Sequence, residues 1–157
     1  MQSILEPASI EFLENLPKRL EKENATMVHG SPRSPVFEYL LDTVSATENF
    51  NYFDTDYCFI GHSHLPSMFT LSDDDPHVQL DVPRPGNKIK LEGRVILNPG
   101  SVGQPRDRIP LASYAIYDST ERTWEFYRTQ YDIQETQEAM EEYGLPERHI
   151  IRLSEGW

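Results

Sequence analysis

The segment Tyr57-Cys58-Phe59-Ile60-Gly61-His62-Ser63-His64 constrains this chain more than any other. Its apolar run predicts a buried strand, and Gly61 breaks that run. Two imidazoles follow, one residue apart. In an extended segment residues i and i+2 point the same way, so His62 and His64 are expected to converge. A second apolar run, Ala25-Thr26-Met27-Val28, leads into His29-Gly30. Three of the five histidines thus stand where predicted strands end. Imidazole is the commonest metal ligand, and it suits zinc, iron, manganese or nickel. A strand-terminal histidine also serves as a hydrogen-bonded structural residue, and an isolated His-x-His as a surface pair. Spacing alone leaves these readings open.

The rest of the chain supplies the scaffold those strands need. Ile10, Leu13, Leu16 and Leu20 recur at helical spacing, and Pro17 limits that helix to about Leu16. Short helices are expected over Val36–Leu41 and Thr47–Phe53, with the loop Ser31–Pro35 before them. Further strands are predicted at 25–29, 56–60, 67–71, 77–82 and 94–97. The last runs into Asn98-Pro99-Gly100-Ser101-Val102-Gly103, where two glycines suggest backbone passing close to something. Residues 112–117 and 123–128 read as a hairpin. Asp132 is placed to cap a helix from Ile133 to Tyr143 that Gly144 ends, and Pro146 opens another reaching Leu153. The expectation is one mixed α/β domain, strand-rich in the middle and helical after residue 132.

Charge excludes some functions. Lys and Arg total 14 against 26 Asp and Glu, a net charge of −12, which argues against a general nucleic-acid or acidic-membrane binder. No stretch approaches 18 apolar residues, and Met1–Pro7 has no signal-peptide character. The single cysteine, Cys58, allows no disulfide within the chain, reads as a buried structural residue and fits a cytoplasmic setting. Asp73-Asp74-Asp75 reads as a solvated loop, His77 as a solvated histidine, and His149 has no assigned role. Arg106 and Asp107 are expected to form an ion pair or loop hydrogen bonds, or to touch a phosphate.

Taken together, several segments resemble the calcineurin-like metallophosphoesterases, especially their small bacterial and archaeal members. The matching text is Val28-His29-Gly30-Ser31-Pro32, Gly61-His62-Ser63-His64, Leu97-Asn98-Pro99-Gly100-Ser101-Val102-Gly103-Gln104-Pro105-Arg106-Asp107 and Ala112-Ser113-Tyr114-Ala115-Ile116. Gly144-Leu145-Pro146-Glu147-Arg148 is similar as well. The resemblance implies an αββα sandwich of two mixed sheets flanked by helices, with a two-metal centre at the strand ends. It implies that His29 and His62 bind one divalent ion and His64 the other. Asn98, Gly100, Ser101 and Gly103 would shape the neighbouring turn, with Arg106 on the phosphate side. Phosphate mono- or diester hydrolysis follows, by water activated between the ions.

The family's Asp-x-His, Gly-Asp and Gly-Asn-His motifs do not precede His29 in this sequence. Asp75-Pro76-His77 matches the first literally, but it follows Gly-His-x-His and lies in an acidic loop, so it reads as chance. The sequence therefore resembles the C-terminal half of a phosphoesterase domain. Without a bridging carboxylate, paired ions would repel, and the chain is expected to be inactive alone. Three functions compete: an enzyme half that joins an N-terminal piece, a non-catalytic assembly module that self-associates through an uncovered sheet, and a hydrolase with one ion on three histidines.

Overall fold

Residues 5–157 are described by a computed structural model. Among them are a six-stranded sheet, a three-stranded sheet and four α-helices. The order of elements is α1 (Pro7–Glu14), β1 (Arg19–Lys22), β2 (Ala25–Val28), α2 (Thr43–Asn49) with a 3-10 turn at Phe50–Tyr52, β3 (Tyr57–Phe59), β4 (Pro66–Leu71), β5 (Gln79–Asp81), β6 (Lys88–Lys90), β7 (Arg94–Pro99), β8 (Ala112–Asp118), β9 (Thr123–Thr129), α3 (Ile133–Glu142) and α4 (Glu147–Glu155). The segment Met1–Ile4, part of the stretch read above for a signal peptide, lies outside the described residues.

The large sheet runs β1-β2-β3-β7-β4-β5. At its centre β2, β3 and β7 are parallel, with Ala25 opposite Tyr57 and Tyr57 opposite Val95. Strand β4 lies antiparallel to β7, with Phe69 opposite Ile96. Side chains alternate across a strand, and the sequence uses that period twice over. Tyr57, Val95 and Leu97 pack with Trp124, Phe126 and Leu91, joining the large sheet to the small one of order β6-β9-β8. Cys58, Ile60, Ile96 and Phe69 face the other way, onto Ala46, Phe50, Phe53 and Leu40. Both faces of the central strands are therefore buried, which is why they read as unbroken apolar runs. Burial pushes the Cys58 thiol up to about 12, so it stays protonated and serves as core filler.

The observed elements depart from the expected ones in several places. Strands β1 and β6 had no apolar signal: they are Arg-Leu-Glu-Lys and Lys-Ile-Lys, charged edge strands of the kind that resist further pairing. The helix expected at Val36–Leu41 is absent. That stretch is instead tied down by Glu38, which accepts hydrogen bonds from Ser31, Arg33 and Asn49. Its entry is a tight turn in which the Gly30 amide donates to the Pro35 carbonyl at 2.7 Å, and a Cβ on Gly30 would lie 2.7 Å from the Ser34 carbonyl oxygen. The strand foreseen at 77–82 shortens to Gln79–Asp81, exposed throughout. Helix α1 forms where its pattern predicts but buries no residue, and Phe12, Leu13 and Leu16 are exposed.

Candidate metal and phosphate site

The carboxyl ends of the three parallel strands open on one edge of the large sheet, where ligand sites of open α/β sheets form. His29 follows β2, Gly61-His62-Ser63-His64 follows β3, and Asn98-Pro99-Gly100 closes β7. Parallel pairing in register thus gathers residues 29, 62 and 98 from three distant parts of the sequence. The Gly61 amide donates to the His29 carbonyl at 2.9 Å, joining the first two turns.

Asn98 holds the centre together. It is fully buried. Its Nδ2 donates to the Gly61 carbonyl at 2.8 Å and lies 2.9 Å from Ser63 Oγ, while its Oδ1 accepts the Gly100 amide at 2.9 Å. One amide side chain therefore fixes both the histidine turn and the glycine turn. The second turn is braced from β8: Ser113 Oγ accepts the Ser101 amide at 2.8 Å. Gly100 has φ +83°, and a Cβ there would lie 2.4 Å from Ser113 Oγ, so the position admits glycine alone. Ser101 Oγ accepts the Gln104 amide at 3.0 Å. Gly103 is exposed, with nothing within 4 Å of the place a Cβ would occupy.

His29 Nε2 lies 3.0 Å from His62 Nδ1, a direct imidazole–imidazole hydrogen bond. His62 also stacks on Tyr39, ring centroids 4.0 Å apart. His64 Nδ1 is 2.7 Å from the Gln104 carbonyl oxygen, which fixes Nδ1 as the protonated nitrogen and leaves Nε2 as the acceptor. The two residues do not lie on an extended segment. His62 has φ +58° and His64 φ +61°, both left-handed. The i, i+2 argument therefore fails here: the turn aims the rings, not the strand pleat. Left-handed backbone at two non-glycine residues is strain of the kind that collects at functional sites.

Desolvation holds the imidazolium form of His62 below the usual histidine range, and charge on His29 pushes the same way. His64 is lowered chiefly by desolvation, with Arg106, His29 and His62 adding to the effect. Neutral imidazole is the form that binds a metal. Arg106 donates to Gln104 Oε1 at 3.1 Å, and Asp107 pairs with the buried Arg128, so the two neighbours do not pair with each other.

The 3.0 Å between His29 Nε2 and His62 Nδ1 matches the spacing of two nitrogens on one ion, about 2.8–3.4 Å for bonds of about 2.0–2.1 Å at right-angle to tetrahedral geometry. The pair thus fits as two ligands of a divalent ion. The described residues contain no group of three or more His, Cys, Asp or Glu side chains placed to hold one, so a complete ligand set is not assembled. Asp75 and His77 bond to each other in an exposed loop, and His149 lies on α4.

Sequence reading missed Tyr39 and the whole contribution of α4. Gly156 ends that helix in a left-handed turn, and its carbonyl accepts the Arg108 amide at 2.8 Å. This contact brings Arg152 and Trp157 beside Tyr39 and Arg106 around a cleft of about 450 Å³. No local signal marks these residues; only the docking of α4 reveals them.

Residues 5–122 match the Calcineurin-like phosphoesterase superfamily domain. A metallophosphoesterase crystal structure from Sphaerobacter thermophilus is 41% identical and superposes with a TM-score of 0.92, covering 100% of this chain and 64% of that one. An uncharacterised protein of Methanocaldococcus jannaschii is 33% identical over 159 residues, spanning 93% of this chain and 59% of the relative. A hypothetical protein of Pyrococcus horikoshii, 21% identical with a TM-score of 0.67 and covering 94% of this chain and 54% of that one, shares the fold. The chain thus spans about three-fifths of the length of these first two relatives. It belongs to the calcineurin-like phosphoesterase superfamily, whose members generally use divalent metals.

Proposed function

We propose that this member of the calcineurin-like phosphoesterase superfamily supplies the histidine side of a metal-dependent phosphoesterase site. The observation that carries the reading is the His29–His62 nitrogen pair at 3.0 Å, held at the ends of two parallel strands. His29 and His62 bind one divalent ion, and His64 presents Nε2 toward a second position. Manganese, iron, zinc and nickel all suit imidazole ligands. A bound ion supplies Lewis-acid polarisation of a phosphoryl oxygen and a more acidic water. Asn98 orients the histidine turn, and Arg106 offers a guanidinium to the phosphate.

Carboxylate ligands come from outside the described residues, which hold no third ligating group in place. The partner is the complementary part of such an enzyme, and the substrate is a small phosphate ester. The test uses the chain, manganese and an aryl phosphodiester, alone and mixed with the separately expressed part of the Sphaerobacter thermophilus relative that this chain does not match. Hydrolysis by the mixture but by neither component supports the reading. No gain on mixing overturns it.

A second reading, a non-catalytic assembly module, rests on exposed apolar surface. Phe12 and Leu13 of α1 and Leu16 just after it are exposed, and a largely apolar cleft of about 440 Å³ opens between the sheets at Met27, Phe59, Pro99 and Tyr117. It expects self-association, visible as a dimer or larger species in light scattering. A monomer at high concentration removes it. Among the described residues no helix is long and apolar enough to cross a membrane. A cytoplasmic setting is proposed on the reduced, buried Cys58.

A further inference from the structure

The cleft beside the histidine pair has cationic and aromatic walls. In a chain of net charge −12 it is lined by Arg106, Arg152, Tyr39 and Trp157, two guanidiniums and two aromatic rings with no Asp or Glu side chain among them. Its volume of about 450 Å³ suits a small organic ligand. The aromatics are not core residues: Tyr39 is 49% exposed and Trp157 51%. The Arg152 guanidinium lies 5.7 Å from the centre of the Trp157 ring. Arg106 uses one of its five N–H donors on Gln104. Tyr39 joins this cleft to the candidate metal site, because its ring packs on His62.

Guanidiniums recognise phosphate through paired hydrogen bonds, and aromatic faces recognise flat heterocycles by stacking. A ligand that satisfies both walls carries a phosphate and an aromatic ring a few bonds apart. We propose that the cleft of Tyr39, Arg106, Arg152 and Trp157 binds the substrate, and that this substrate is a nucleoside phosphate. Arg106 and Arg152 engage phosphate oxygens, and Trp157 stacks on the base. The assignment rests on the phosphoesterase reading only for what happens after binding; recognition itself needs no metal.

Isothermal titration of the metal-free chain with 5′-AMP, ribose 5-phosphate, phenyl phosphate and adenosine tests it. The expected result is 5′-AMP at least about tenfold tighter than ribose 5-phosphate, with phenyl phosphate between them and adenosine weakest. Trp157→Leu removes the gap between 5′-AMP and ribose 5-phosphate, and Trp157→Phe keeps most of it. Arg152→Gln weakens both phosphates together by about fivefold or more. Equal affinity for 5′-AMP and ribose 5-phosphate, or a gap that survives Trp157→Leu, overturns the proposal. Phenyl phosphate matching 5′-AMP assigns the cleft to simple aryl esters and also overturns the nucleoside assignment. Tight 5′-AMP binding to a complemented mixture that hydrolyses neither 5′-AMP nor the aryl phosphodiester leaves the cleft as a nucleoside phosphate binding site and removes the phosphoesterase reading. Hydrolysis of the aryl phosphodiester but not of 5′-AMP overturns the nucleoside phosphate as substrate.

Discussion

His29 Nε2 lies 3.0 Å from His62 Nδ1, and His77 Nδ1 lies 2.9 Å from Asp75 Oδ1. The lengths are alike and both contacts are exposed, but what holds them in place differs. The first contact joins the ends of two parallel strands and stands on the buried Asn98. The second joins residues two apart in a loop, with the His77 side chain 88% exposed. It is also the literal Asp-x-His of the sequence. A short contact therefore says little by itself. What separates a candidate site from a surface turn is whether buried groups hold the partners in place when neither is bound to anything.

That contrast can be broken at its foundations first. Gly100→Ala forces a Cβ against Ser113 Oγ at a backbone angle side chains avoid, and should cost about 2–5 kcal/mol of stability, read by urea denaturation. A loss below about 1 kcal/mol would mean the glycine turn is not a rigid support. Asn98→Ala strands the Gly61 carbonyl and the Gly100 amide, costing about 2–4 kcal/mol. Asn98→Asp should recover little, since a carboxylate cannot donate to Gly61.

His62→Ala should reduce manganese or zinc affinity at least tenfold, about 1.4 kcal/mol, measured by competition with a chromogenic chelator. Unchanged affinity would separate the imidazole pair from metal binding. A pH series sharpens the same point. His62 and His64 are both held below the ordinary value of 6.5, so the unfolded chain binds their protons first as pH falls. Stability is then complete above about pH 6.5 and declines between that value and the lower folded values. The His62→Ala/His64→Ala variant should flatten this part of the profile. The smallest effect belongs to the other contact: Asp75→Ala and His77→Ala should each shift stability by less than about 0.5 kcal/mol and leave metal affinity unaltered.

Much of the scaffold was legible because burial on two faces leaves unbroken apolar runs. Strands β2, β3 and β7 could be placed from Ala25–Val28, Tyr57–Phe59 and Arg94–Leu97, and the final helices from Asp132, Gly144 and Pro146. The histidines were legible as residues at strand ends. Their geometry was not, because two left-handed residues replace the expected pleat. The Val36–Leu41 segment misled for a related reason: Glu38 draws its hydrogen-bond partners from Ser31, Arg33 and Asn49, and side-chain ties of that range override local helical spacing.

The sequence by itself determined which segments are buried and which turns carry imidazole, since both are written in local pattern and residue type. The tertiary structure decided which of those turns meet. Parallel register set His29 against His62, Asn98 locked two turns with one amide, and α4 folded back to place Arg152 and Trp157 beside Arg106. Contacts between residues tens of positions apart depend on how sheets and helices pack, and no local window of the chain encodes that packing.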